Sequence, residues 1–150
     1  MASTTLPLGV AREVRDACLC LHAQRAARAL ARRYDAAFRP VGLTSGQFSL
    51  LMALHREAPV AIAAVAELLG MDRTTITAYL KPLARDDLVA VSAGPDRRQR
   101  LLALTPAGRR RLAAALPRWR RAQAAVARRL RSPGRLRGEL VMLGASTRPR

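Results

Sequence analysis

The chain has 150 residues, half of them hydrophobic, and its 27 basic and 10 acidic residues give a formal net charge of +17. This length predicts one domain with a real core, and the hydrophobic content excludes a disordered polymer. The excess charge favours a polyanionic partner, for which nucleic acid is the default and an anionic membrane surface the competitor. Because aromatic residues make up only 3% of the chain, Ala, Leu and Val must build the core, which predicts a mainly α-helical protein.

The N-terminal third predicts one long helix after a frayed tail. From about Val10 to Phe38 no Pro or Gly interrupts the pattern, and apolar residues recur at three- and four-residue steps. The breadth of this apolar surface predicts packing against a partner subunit. The N-terminus lacks the features of a signal peptide, and no apolar run reaches the length of a membrane span. Two cysteines are too few for a disulfide scaffold, so we expect a cytoplasmic protein without membrane contact.

Two short helices in the middle of the chain have helix-turn-helix spacing. Thr44 and Gln47 form a capping box that opens the preceding helix. An apolar helix then ends at Gly70, and Asp72 caps the next helix almost at once. The outer side of this second helix carries short hydroxyl side chains near its start and cations towards its end. Such a surface fits a DNA major groove, although a solvated helix face has the same pattern.

The next segment predicts a two-stranded β wing. Two short β runs, 88–91 and 101–104, flank residues typical of a turn. The tip between the strands is Asp96-Arg97-Arg98-Gln99-Arg100. Arginines at such a tip suit phosphates and a narrow minor groove.

The C-terminal part predicts a further long helix and a short one. Thr105-Pro106 provides an N-cap and a proline at the first helical position. Apolar residues then recur in steps of three, four and seven, which indicates a seam for another helix. Pro117 is expected to bend this helix, and Pro133-Gly134 to break it before a last short helix.

An ordered set of motifs resembles the MarR family of bacterial winged-helix repressors over roughly residues 12–130. The motifs are Leu43-Thr44-x-x-Gln47-Phe48, Leu69-Gly70-Met71-Asp72-Arg73-Thr74-Thr75-Ile76-Thr77, Leu88-Val89, Asp96-Arg97-Arg98 and Leu104-Thr105-x-x-Gly108. Three departures from the family pattern fall in or near the helix that Asp72 caps, which we call the reading helix. Ala78 replaces an arginine of many members, Pro82 is atypical, and Asp87 stands where a glycine is usual. If that last turn needs a positive φ, Asp tolerates it better than most residues.

The resemblance implies a single MarR-like domain, 1–150, in an obligate homodimer. The N- and C-terminal helices, about 10–40 and 106–145, would form the dimerisation half, and 44–105 the winged helix-turn-helix part. Two such parts would bind a palindromic double-stranded DNA operator. By the same resemblance, Asp96 would brace the wing through an arginine. The residues that match the family's DNA contacts are Arg73, Thr74, Thr75, Thr77, Lys81, Arg97, Arg98 and Arg100.

The two cysteines, Cys18 and Cys20, are candidates for sensing a signal that controls DNA binding. Cys20 lies 27 residues before Gln47, a spacing that resembles the organic-hydroperoxide-sensing branch of the family. In that branch two tyrosines hold the reactive cysteine. Tyr34 matches the first of these tyrosines, whereas Ser45 stands in place of the second. Alternatively, Cys18 and Cys20 are small buried hydrophobes. A metal site at Cys18-x-Cys20-x-His22 is disfavoured, because on a helix Cys20 would point away from the other two. A small aromatic ligand between the two halves is a third alternative.

The leading hypothesis is therefore a sequence-specific repressor that a peroxide or small-molecule inducer releases from DNA. The alternative is a basic module that binds nucleic acid or another anionic surface without sequence choice, or a protein-interaction module. No nucleophile–base set, Gly-rich phosphate loop or paired carboxylates indicate an enzyme, and no motif predicts a cofactor or metal.

Overall fold

The computed structural model describes residues 6–96 and 99–146. The described residues form seven α-helices and three β-strands in a winged-helix fold. The helices are α1 (Leu8–Ala17), α2 (Leu19–Phe38), α3 (Ser45–Ala53), α4 (Ile62–Leu69), α5 (Arg73–Arg85), α6 (Pro106–Ala127) and α7 (Pro133–Ser146), and the strands are β1 (Val60–Ala61), β2 (Val89–Ala93) and β3 (Arg100–Leu104). None of the helices in these two ranges is long and apolar enough to cross a membrane.

The prediction of one unbroken helix from Val10 to Phe38 is wrong. Cys18 has an extended backbone, with ψ of 106°, and separates α1 from α2. Its sulfur accepts a hydrogen bond from the backbone N–H of Leu21 and so caps α2. No residue of α1 is buried, so packing does not hold the two segments in line. As predicted, α2 ends before a short 3₁₀ turn, where Gly42 adopts a φ of 67°.

One core joins the helix-turn-helix, the sheet and the ends of α2 and α6. Leu50, Leu51, Ile76 and Leu102 have no exposed surface, and Phe38 from α2 stacks on Phe48 from α3 at a centroid distance of 4.5 Å. The core residues of α5 are Ile76, Leu80 and Leu83, which the 3.6-residue period places on one side of the helix. The opposite side of α5 therefore faces away from the core.

The sheet has three strands in the order β1-β3-β2, all antiparallel. The predicted wing strands β2 and β3 pair from Val89 opposite Leu104 to Ala93 opposite Arg100. No sequence signal predicted β1, a two-residue strand whose Val60 lies opposite Leu102. This strand fixes the start of α4 against the base of the wing.

Several predicted local features are confirmed. The capping box at Thr44 and Gln47 has both of its hydrogen bonds, and Thr105 caps α6 through the N–H of Gly108. Asp87 is the non-glycine residue with positive φ in the described ranges, at 54°, as expected for a position where the family has glycine. Helix α5 continues through Pro82 to Arg85, so the proline does not end it.

Candidate nucleic-acid interface

The start of α5 is built around the carboxylate of Asp72. One oxygen accepts the backbone N–H of Thr75 at 2.7 Å, and the other accepts the Thr75 hydroxyl at 3.0 Å. These hydrogen bonds to Thr75 hold the pKa of Asp72 below its ordinary value. The cap therefore stays ionised near neutral pH and fixes the first turn of α5. Thr75 is half-buried, and its hydroxyl proton is already used in the hydrogen bond to Asp72.

The outer side of α5 is exposed and combines hydroxyl groups with cations. Arg73, Thr74, Thr77, Ala78 and Lys81 are all exposed. The hydroxyl of Thr77 donates to the carbonyl of Arg73 at 2.7 Å, which orients its oxygen so that its remaining lone pairs point outward as acceptors. The surface carries no carboxylate between Arg73 and Lys81. An anionic partner therefore meets no like charge along this side.

A cleft separates α5 from the tip end of the wing. Arg73 and Thr77 line one wall, and Arg100 and Gln99 line the other. Ala61, Ile62 and Leu80 contribute the apolar remainder of the lining. The structure thus brings together two predicted contact residues of α5 and one of the wing, although they are more than twenty positions apart in the chain. Gln99 was not predicted to line this cleft. The one signal in the sequence is its position beside Arg100, at the start of β3.

The wing turn is closed by backbone hydrogen bonds. The N–H of Gly94 donates to the carbonyl of Gln99, and the N–H of Gln99 donates to the carbonyl of Asp96, both at 2.8 Å. Arg97 and Arg98 lie outside the described residues. The bracing role of the Asp96 side chain therefore remains a prediction.

Two close contacts hold α5 and the wing against neighbouring helices. A Cβ built on Gly46 would lie 2.3 Å from the Tyr79 ring, so only glycine lets α3 approach α5 this closely. A Cβ built on Gly108 would lie 2.0 Å from the carbonyl oxygen of Leu88, which fixes α6 against the start of the wing. Next to this contact, the Thr105 hydroxyl donates to the carbonyl of Asp87 at 2.6 Å. Helix α5 is therefore packed closely against α3, and the start of the wing against α6.

The residues proposed for signal sensing are not brought together within one subunit. In the single subunit Cys20 is exposed and Cys18 is half-buried. The Cys20 sulfur accepts from the Gln24 side chain at 3.4 Å. Tyr34 lies 14 positions further along, roughly 21 Å at the rise of an α-helix. Its hydroxyl donates to Gln123 of α6, and burial raises its pKa.

The described ranges contain no group of three or more His, Cys, Asp or Glu side chains placed to hold a metal ion. Cys18 is the N-cap of α2, and the N–H of His22 donates to its carbonyl at 3.2 Å. The His22 ring lies 3.3 Å from the carbonyl of Asp16.

Comparisons with known proteins find similarity to transcriptional regulators. A family model described as "MarR family" matches residues 41–99, the region from the end of α2 to the wing. The HTH-type transcriptional regulator YwoH of Bacillus subtilis (strain 168) is 30% identical over 81 residues, which cover 54% of this chain and 59% of YwoH. The chain thus spans little more than half the length of that curated relative.

Solved structures extend the similarity to most of the chain. The transcriptional regulator MosR of M. tuberculosis in complex with DNA is 40% identical, with a TM-score of 0.80 over 86% of this chain and 95% of MosR. The transcriptional repressor CouR, bound to a 23-mer DNA duplex, is 28% identical, with a TM-score of 0.72 over 97% of this chain and 100% of CouR. Both of these structures contain DNA.

Proposed function

Because the chain belongs to the MarR family of transcriptional regulators, we propose that it binds a palindromic operator as a homodimer and represses transcription by occluding the promoter. The observation that carries this proposal is the cleft in which Arg73, Thr77 and Arg100 meet. It couples a major-groove reader to a wing, and both reach the same duplex. Since its target is DNA, we place the protein in the cytoplasm.

In this proposal the contact residues divide into readers and anchors. Thr74 and Thr77 reach base edges, since both are short, exposed and hydroxylated. Lys81 and the arginines Arg73, Arg97, Arg98 and Arg100 bind phosphate or enter the minor groove. Thr75 acts mainly by holding the start of α5, because its hydroxyl proton is bonded to Asp72. The half-sites read by the two α5 helices should be centred about one helical turn apart.

A gel-shift assay with the DNA upstream of the gene tests this function. We expect retention of that duplex in preference to a scrambled duplex at moderate salt, and a steep loss of affinity as salt rises. Equal affinity for both duplexes would instead support the alternative, a basic module without sequence choice. Lys81→Ala should weaken every sequence alike, whereas Thr77→Ala should change the preference among sequences. A uniform loss in both variants would contradict this division.

Release from DNA is proposed to follow a signal that changes the separation of the two reading helices. The exposed Cys20 favours an oxidative signal, in which a peroxide oxidises the thiolate to a sulfenic acid. Within the subunit Tyr34 bonds Gln123, so contact with Cys20 would require a partner's helix. If Cys20→Ser retains release of DNA by an organic hydroperoxide, Cys20 is excluded as the sensor. Release of the unaltered protein by a small aromatic ligand, and not by a hydroperoxide, would instead support a ligand bound between the two halves as the inducer.

A further inference from the structure

The positive charge of the chain lies mostly outside the lobe proposed to read DNA. Residues 44–105 contain seven basic and six acidic residues, a net charge of +1. Residues 1–43 contain seven arginines and three acidic residues, and residues 106–150 contain thirteen arginines and one glutamate. These two flanking segments together therefore carry a net charge of +16. Phosphate contacts made by the reading lobe alone do not account for this distribution.

Part of this charge converges on a groove between α2 and α6. Arg33 of α2 and Arg118 and Arg121 of α6 line it, together with Ala37, Ala122 and Ala125. We call this the α2–α6 groove. The alanines are half-buried, whereas Arg33 and Arg121 are exposed. Small side chains therefore form the floor and guanidinium groups the walls.

The three arginines have no neutralising partner in the described ranges. Neither a hydrogen bond nor an ion pair of their side chains occurs there, while other arginines such as Arg15 do pair with carboxylates. Helix α6 contains no acidic residue, and the one carboxylate of α2, Asp35, accepts the N–H of Ser45 at 2.6 Å. Three like charges lining one groove repel each other, so an anion bound there would relieve that repulsion.

The shape of the groove favours an extended anion. It is open, and two of its three arginines, Arg33 and Arg121, are exposed, so water and salt weaken their attraction for a small anion. Further arginines continue along α6, namely Arg109, Arg110, Arg111 and Arg120. With 22 residues, α6 is roughly 33 Å long. That length matches about ten base pairs of duplex, whose phosphates would release counterions on binding.

We propose that the α2–α6 groove is a second nucleic-acid site, which holds the phosphate backbone of a duplex without reading its sequence. Unlike the operator surface, it uses residues of neither α5 nor the wing. A partner subunit is a poor occupant, because burying three guanidinium groups without carboxylates would cost several kcal/mol per ion. With this site, one regulator would hold further DNA in addition to its operator. That DNA would be either the sequence flanking the operator or a second duplex.

The test uses full-length protein in which Arg73→Ala and Lys81→Ala weaken the operator surface. Into this background we would introduce either Arg33→Ala/Arg118→Ala/Arg121→Ala or a control, Arg12→Ala/Arg131→Ala/Arg137→Ala, which removes the same charge from exposed positions elsewhere. Size-exclusion chromatography and circular dichroism establish that both retain the assembly and helix content of the parent. The readout is the anisotropy of a fluorescent duplex of random sequence over a salt series.

We expect the groove variant to bind more weakly than the control, and the slope of log affinity against log salt to fall by about 2 to 3 relative to the parent. Equal slopes for the groove and control variants would overturn the proposal. Displacement of the duplex by tripolyphosphate at matched ionic strength and equal phosphate concentration would also overturn it, because the groove would then be a small-anion site. Operator preference is measured separately on the chain with native Arg73 and Lys81, so its absence would refute the proposed function and leave this result unaffected.

Discussion

The carboxylate of Asp72 links the pH of the solution to the start of the reading helix. Its hydrogen bonds from Thr75 lower its pKa in the folded chain. A group with a lowered folded pKa adds stability above its unfolded pKa, and this contribution is lost as pH falls through the folded value. We therefore expect the urea midpoint to fall on acidification below about pH 4.

The variant Asp72→Asn isolates this contribution. Asparagine is also a good N-cap but has no charge to titrate, so its urea midpoint should fall less between neutral and acidic pH. Asp16, whose pKa the Arg15 guanidinium lowers, contributes with the same sign in both proteins and cancels in the comparison. An acid-induced drop of the same size in both proteins would show that the Asp72 cap does not titrate as proposed.

Gly108 is the residue at which an added methyl group should do most damage. The Cβ of alanine would lie 2.0 Å from the Leu88 carbonyl oxygen, so α6 would have to move away from the wing. Overpacking of this kind costs about 1–3 kcal/mol, and more where backbone must shift. We expect Gly108→Ala to lower the free energy of unfolding in urea, followed by circular dichroism, by at least about 2 kcal/mol.

Gly138 provides the matched control for this substitution. It lies within α7, and nothing approaches the position of its Cβ within 4 Å. Gly138→Ala should therefore stabilise the chain by up to about 1 kcal/mol, through helix propensity alone. Both variants must be compared at one protein concentration, because assembly contributes to apparent stability. A Gly108→Ala protein as stable as the Gly138→Ala protein would contradict the close approach.

At the scale of elements, Asp35 joins α2 to the start of α3. It belongs to α2, yet its carboxylate accepts the N–H of Ser45 at the start of α3. Asp35→Ala leaves that N–H to solvent, and we expect amide exchange of Ser45 to rise by about fivefold, equivalent to about 1 kcal/mol. Asp35→Asn retains an acceptor oxygen and should exchange more slowly than Asp35→Ala. Identical exchange in all three proteins, measured by NMR, would argue against this tie.

Helix ends that are set by local capping residues could be predicted from the sequence. Elements that depend on contacts between distant parts of the chain could not. The cap at Thr44, the stop at Gly70 and the Thr105-Pro106 start each carry their own signal. The strand β1 has two residues and exists because Leu101 and Leu102 lie opposite it, some forty positions away. The break at Cys18 disturbs no apolar period, and no proline or glycine marks it.

The same distinction applies to the candidate site. The motif of α5 predicted an exposed hydroxyl and cationic face, because helical periodicity alone determines which side is buried. That Arg73 and Arg100 share one cleft depends on how the wing docks, which neither segment encodes by itself. The role of Gln99 in that cleft was missed for this reason.

At the scale of the whole molecule, an exposed apolar surface on α7 supports the proposed homodimer. Leu136, Leu140 and Leu143 are 38–50% exposed in the single subunit, which is unusual for three large side chains on one short helix. Replacing all three with serine should shift the assembly from dimer to monomer in sedimentation velocity. Affinity for the operator should fall with it, because two linked lobes bind two half-sites with a high effective concentration.

Leu68 of α4 is the control for this assembly prediction. It is 59% exposed but belongs to the reading lobe, so Leu68→Ser removes apolar surface without touching α7. This variant should remain dimeric and keep its cooperative binding of two half-sites. If the α7 variant also sediments as the parent dimer, the apolar surface of α7 is not the interface. Loss of DNA binding in a still dimeric α7 variant would show that these leucines act on the operator surface by another route than assembly.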